Sequence, residues 1–216
     1  MRGTHDLGGL PAGPVDTAPH EPTFWEKQVD AIHGLLGDSK RRITLRDENR
    51  LYIESLGDDV YNTLGYYERW TAAMCRQLID KGVLTQDEID AKIAELRARG
   101  VGAGRRRNGL QTVSADLAAD LAIAPRFAAG DRVRVRDDYP PGHIRTPVYV
   151  RGKTGVVTRC FGAFKNPELL AIGKDGLPKK ILYEVRFKQT DLWPDYAGPA
   201  TDTLLIDIYE HWLSDA

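Results

Sequence analysis

Arg145 stands in the stretch P-P-G-H-I-R-T-P at residues 140–147, where Pro140, Pro141 and Pro147 restrict the backbone on both sides and present the side chain from a stiff support. A guanidinium is a planar fork that donates two parallel hydrogen bonds and keeps its proton, so it suits a small oxyanion such as a sulfinate or sulfenate. Lysine would bring charge without that geometry. His143 stands two residues earlier. Arg50 precedes Glu54 by four residues, a spacing that puts both on one helix face. Tyr66, Tyr67 and Trp70 form an aromatic group that could line a pocket. Each has a plainer reading. A loop arginine is ordinarily a surface residue, a helical Arg/Glu pair is usually solvated and worth about a few tenths of a kcal/mol, and a tyrosine pair before a helical tryptophan is commonly core packing.

Other chemistries find little support. The five histidines are scattered, and neither His-Glu-x-x-His nor paired Cys-x-x-Cys occurs, so no metal site is expected on this chain. Cys75 and Cys160, the only cysteines, read as small buried apolar residues. Thirty basic residues against 31 acidic ones give a formal charge of −1 and no reason to expect nucleic acid or an anionic membrane as partner. No stretch approaches the roughly 20 apolar residues of a membrane helix, and residues 1–22 lack a signal-peptide core. The expected location is cytoplasmic. Gly152-Lys153-Thr154 resembles a phosphate loop only superficially, because position 147 is proline and a strand follows.

The elements that must position these residues divide into two groups. Residues 1–22 are too rich in glycine and proline for regular structure and read as an extended arm. A helical domain follows over 23–125. Thr23 and Glu26 form a capping box, Trp25, Val29, Ile32 and Leu36 make one buried stripe, and Gly37 ends the helix. A second helix runs from about 45 to 56 with Thr44 as cap. A third carries Tyr66 to about Lys81, with Tyr67, Trp70, Met74 and Leu78 buried. A fourth opens at Thr85 with Glu88, buries Ile89, Ile93 and Leu96, and is expected to pair antiparallel with the third. Residues 100–114, with Arg105, Arg106 and Arg107, read as a linker or surface loop rather than a nucleic-acid patch, and a short helix is expected at 115–122.

From 126 the period changes to two. Strands are expected at 131–136, 148–151, 155–161, 181–187 and 203–209, with Gly152 and Gly155 as hairpin turn residues and Trp193 and Trp212 at the edge. The fold class is α+β, ending in a small antiparallel β-barrel of the Src-homology type.

Five motifs in order resemble the nitrile hydratase β-subunit family: the H-D-L-G-G arm at 5–9, the Arg50 helix, Tyr66-Tyr67-x-x-Trp70, the G-H-I-R turn at 142–145 and the carboxy-terminal barrel. The resemblance implies a lyase heteromer, αβ and commonly α2β2. A partner α-subunit in it holds low-spin cobalt(III) or iron(III) through cysteines, two of them oxidised. It further implies that Arg50, with Glu54, and Arg145, supported by His143, hold those sulfur oxyanions. Tyr66, Tyr67 and Trp70 would border the pocket for a small nitrile, and the arm would pack on the partner. There are departures. Arg69 stands where many members have histidine, and D-L-W-P-D-Y at 191–196 is similar to thiocyanate hydrolase, which is the alternative enzyme. A metallochaperone or activator is the non-enzymatic alternative, although activators usually lack the barrel.

Overall fold

The structure, a computed structural model, describes residues 3–19, 21–100 and 123–216. The arginine triplet and the helix expected at 115–122 lie outside them. Two compact units are formed, Gly13–Asp116 and a second in which Met1–Ala12 joins Leu117–Ala216.

The first unit is helical: α1 (Phe24–Leu36), α2 (Arg46–Glu54), α3 (Asp58–Thr63), α4 (Tyr66–Asp80) and α5 (Gln86–Ala98). Four of these starts share one device, a glutamate at the third helical position that reaches back to the cap N–H. The carboxylates of Glu26, Glu68 and Glu88 accept hydrogen bonds from the backbone N–H of Thr23, Gly65 and Thr85, at 2.5, 2.7 and 2.8 Å. Thr44 does not cap α2. Leu45 takes the cap position, and the Glu48 carboxylate accepts from its N–H at 2.8 Å.

Packing centres on α4, which is covered by α2 and α1. Its buried residues are Ala73, Met74 and Gln77. With those faces taken, α5 does not pair along α4, and it buries no residue. Ile93 is exposed, while Ile89 and Leu96 are half-buried. On α1 only Val29 is buried. Trp25 and Ile32, expected in the core, are 37% and 50% exposed along an apolar trough that also includes Leu64 and Ala72.

The second unit carries an open five-stranded antiparallel sheet, not a closed barrel. Its strands are β1 (Arg132–Val135), β2 (Thr154–Phe164), β3 (Lys180–Lys188), β4 (Thr203–Tyr209) and β5 (Leu213–Asp215), in the order β4-β3-β2-β1-β5. No ladder joins β4 to β5 among the described residues. The two-residue alternation places Val133, Val135, Tyr183, Val185 and Phe187 inside, each side chain contributing about 1.5–3 kcal/mol by burial. The expected strand at 148–151 is instead a 3-10 turn, Val148–Val150, because Pro147 before it and Gly152 at φ 71° after it interrupt pairing. Gly155 is no turn residue. It lies in β2, where a Cβ would come within 2.6 Å of Val185 Cγ1. Trp212 belongs to the core rather than the edge, and Cys160 is exposed rather than buried.

The arm residues at 5–9 lie on this chain's own sheet unit. Asp6 Oδ2 accepts from the Val148 N–H at 2.9 Å. Tyr149 and Trp193 stack at 5.6 Å, and a Cβ on Gly8 or Gly9 would meet those rings at 2.4 and 2.8 Å. The glycine pair is needed because the arm crosses flush on two aromatic rings.

Tyr183 joins the sheet to what covers it. Its hydroxyl donates to Glu210 Oε2 at 2.6 Å and accepts from the Phe127 N–H at 3.1 Å. Burial, reinforced by the Glu210 hydrogen bond, pushes its pKa up to about 12. An unfolded tyrosine ionises near pH 10, so this contribution to stability is fully present below about pH 10 and is lost as pH rises through the folded value. Tyr183→Phe is expected to cost about 1–3 kcal/mol at neutral pH by orphaning the Phe127 N–H, and to flatten the fall in stability above pH 10. Urea unfolding at pH 7, 10 and 11 measures both effects.

Candidate functional site

A recess of about 600 Å³ opens in the helical unit where α1, α2, α3 and α4 meet. One face of α2 supplies Arg46, Asn49, Arg50 and Ile53, spaced as one helix face requires. From α4 come Tyr66, Arg69 and Trp70, from α3 Tyr61, and from α1 Asp30 and His33. The register of α2 against α4 is set by Glu48, which is 6% exposed. Its Oε2 accepts from Gln77 Nε2 at 3.0 Å and from Lys81 Nζ at 2.8 Å. At the other end of α2, Tyr52 donates to Asp80 at 3.0 Å and Arg76 donates to the Ser55 carbonyl at 3.2 Å.

Three guanidiniums thus face a recess in which Asp30 is the one carboxylate among the described residues. Arg69 lies over the Tyr61 ring at 4.2 Å, yet its buried Nε–H has no hydrogen-bond partner among the described residues. Asn49 Oδ1 and His33 Nε2 are likewise buried without one. The His33 and Trp70 rings lie 4.8 Å apart and are tilted by 56°. Burial, with the charge of Arg46 adding to it and Asp30 opposing, lowers the His33 pKa and keeps the ring neutral. Such a lining is built for acceptor atoms bearing negative charge. Among the described residues no group of three or more His, Cys, Asp or Glu side chains is placed to hold a metal ion, and no helix is long and apolar enough to cross a membrane.

Of the residues singled out in the sequence, the recess unites Arg50, Tyr66 and Trp70. Tyr67 sits behind them, its ring 5.1 Å from Tyr66, 5.7 Å from Trp70 and 6.4 Å from Trp25. Burial raises its pKa, and the carboxylates of Asp30 and Glu26 add to the shift. Glu54 ends α2, half-buried, and is not part of the lining.

Arg145 belongs to the sheet unit. It is exposed, between the buried side chains of His143 and Thr146. Gly142, at φ 102°, makes the bend that precedes it. Arg151 braces the turn: Nε and Nη2 donate to the Thr146 carbonyl at 3.1 and 2.8 Å, and Nη1 donates to the Asp138 carbonyl at 2.9 Å. One fork therefore ties both ends of the turn together. Beneath it Glu168 accepts from Trp212 Nε1 at 2.7 Å and lies 3.2 Å from His211 Nε2. Burial opposes ionisation of Glu168, but these contacts and the field of His143 outweigh it and hold its pKa below the usual carboxylate range.

Comparison with known proteins follows this division of the chain. The family model described as nitrile hydratase beta subunit, N-terminal, matches residues 1–120, and that of the C-terminal part matches residues 116–215. The chain belongs to the nitrile hydratase β-subunit family. It is 34% identical to the nitrile hydratase subunit beta of Pseudomonas putida and 32% identical to the low-molecular weight cobalt-containing nitrile hydratase subunit beta of Rhodococcus rhodochrous, in each case over all of both chains. Thiocyanate hydrolase subunit alpha of Thiobacillus thioparus is 37% identical over 97 residues, 44% of this chain and 76% of that one.

Sequence reasoning on this nitrile hydratase β-family chain missed Arg46, Asn49, His33, Glu48 and Arg151. Only Arg46 carried a signal, standing four residues before Arg50 on the same helix face. For the others the partner lies on another element or is a backbone carbonyl. Arg151→Met retains the aliphatic stem but removes the fork. It is expected to cost about 1–2 kcal/mol and to speed amide exchange across residues 138–147, read by hydrogen-exchange mass spectrometry. Unchanged exchange would remove Arg151 from its bracing role.

Proposed function

We propose that this chain is the β-subunit of a metal-dependent nitrile hydratase, hydrating a nitrile to the amide at a centre held by an α-subunit. The observation that carries this reading is the guanidinium-rich recess of Arg46, Arg50 and Arg69 walled by Tyr66 and Trp70, in a chain matched from end to end by the β-subunit family. A recess of this chemistry fits sulfur oxyanions better than a metal ion, in keeping with a cobalt(III) or iron(III) site on the partner. That ion, when bound, supplies Lewis acidity toward the nitrile. Arg50 and Arg145 donate paired hydrogen bonds to the partner's oxidised cysteines and fix their orientation, Glu54 and His143 support them, and Tyr66, Tyr67 and Trp70 wall the substrate pocket and restrict water. The assembly is an αβ pair or its dimer, in the cytoplasm.

A second reading, subunit of a thiocyanate hydrolase, is favoured by the match to the Thiobacillus thioparus subunit. The two differ in product: amide from a nitrile, or carbonyl sulfide from thiocyanate.

Co-expression with a neighbouring frame encoding Cys-x-x-Cys-Ser-Cys, followed by metal analysis and product assay, tests the proposal. A correctly metallated complex that converts no nitrile would count heavily against it. In the active complex Arg145→Lys is expected to assemble normally and lose about ten- to a hundredfold in kcat, because only the fork geometry is removed. Unaltered turnover takes Arg145 out of the site.

A further inference from the structure

In the reading above Arg50 is the recess arginine that donates to the partner's sulfur oxyanions, while Arg46 and Arg69 share its recess without an individual role. Both line the same recess, and among the described residues the only carboxylate lining it is that of Asp30. Arg46 and Arg50 are four residues apart on one face of α2, so their like charges disfavour the helix; Glu54 follows Arg50 at the same spacing, and an anion bound beside Arg46 would relieve the remainder. His33 offers no compensation and no added charge, since burial and the charge of Arg46 keep it neutral.

The buried polar atoms point the same way. The Nε–H of Arg69 is buried and has no acceptor among the described residues, although the guanidinium is held in place over the Tyr61 ring at 4.2 Å. Asn49 is 2% exposed, lines the recess and leaves Oδ1 unpartnered. Rotation of its amide presents either an acceptor or two donors. A neutral nitrile has one weak acceptor nitrogen and would balance none of the positive charge. A ligand with a second, negatively charged acceptor would satisfy the Arg69 donor and balance the excess cation. The recess, at about 600 Å³, has room for such a group beside the one to be hydrated.

We propose that Arg69 and Arg46, with Asn49, form an anion subsite that selects substrates bearing a negative charge together with a C≡N group. The inference rests on the nitrile hydratase reading and names the substrate class for it. Two sources share this chemistry: an organic nitrile carrying its own carboxylate, and thiocyanate.

The test uses the metallated complex with cyanoacetate, its near-isosteric neutral counterpart cyanoacetamide, and thiocyanate. The expected result is a kcat/KM for cyanoacetate or for thiocyanate at least about tenfold above that for cyanoacetamide, the worth of one charge-assisted hydrogen bond. Amide or carbonyl sulfide as product says which source is used. Arg69→Gln is expected to lower the charged-to-neutral ratio about tenfold, and Arg69→Lys to restore part of it. A ratio near one in the parent enzyme, or one that Arg69→Gln leaves unmoved, overturns the proposal.

A second readout keeps the inference separate from the enzyme assignment. In the full chain labelled with nitrogen-15, cyanoacetate or thiocyanate should shift the Arg69 Nε–Hε resonance saturably, and cyanoacetamide should not. A complex inactive on every substrate, combined with that shift, defeats the nitrile hydratase reading and leaves the anion subsite standing. Inactivity without the shift defeats both.

Discussion

The helical unit depends on one buried carboxylate. Glu48 accepts from the Leu45 N–H at the start of its own helix, from Gln77 on α4 and from Lys81 just past the end of α4, so a single side chain caps α2 and fixes its register. Burying a carboxylate is costly unless its lone pairs are filled, and here they are filled by donors from two helices. With α2 held in that way, the adjacent Asn49 and Arg50 have little freedom in where they point. The functional face of the helix is thus a consequence of its buried one.

In the sheet unit a cation plays the corresponding part. Arg151 reaches two backbone carbonyls, of Asp138 and Thr146, and spans the turn that carries Arg145. Asp6 of the arm holds the next residue pair through the Val148 N–H, and Tyr149 and Trp193 form the floor under Gly8 and Gly9. The arm, the turn and the 3-10 segment after Pro147 therefore form one assembly built on an aromatic stack. This explains why a glycine- and proline-rich stretch can be ordered without regular structure of its own.

Much of the local architecture was legible. Thr23 with Glu26 and Thr85 with Glu88 marked helix starts, since a capping box is complete within four residues. The alternation in β1 and β3 identified inward residues for the same reason. Legibility failed where a short apolar run had two solutions: Val148–Val150 reads as a strand by composition, but Pro147 and Gly152 leave it no ladder to join. It failed again for Trp25 and Ile32, whose spacing shows that they share a helix face without showing whether this chain covers it. The closed barrel failed because strand count does not specify closure, and the edges β4 and β5 stay unpaired with each other.

The candidate site divides along the same line. From the sequence alone came the residue types and their supports: an arginine braced by prolines, Arg50 on a helix face, and aromatic residues at the start of the next long helix, together with the family resemblance that the full-length match bears out. Tertiary structure decided that Arg46, Arg50 and Arg69 converge, that Arg69 leaves a donor unsatisfied, and that a residue 33 positions away completes the shell of Glu48. The reason is range. Caps and periodicities are settled by neighbours within about one turn of chain, whereas the meeting of charges and the filling of a buried lone pair depend on which elements share a core, a choice made by the packing of the whole unit.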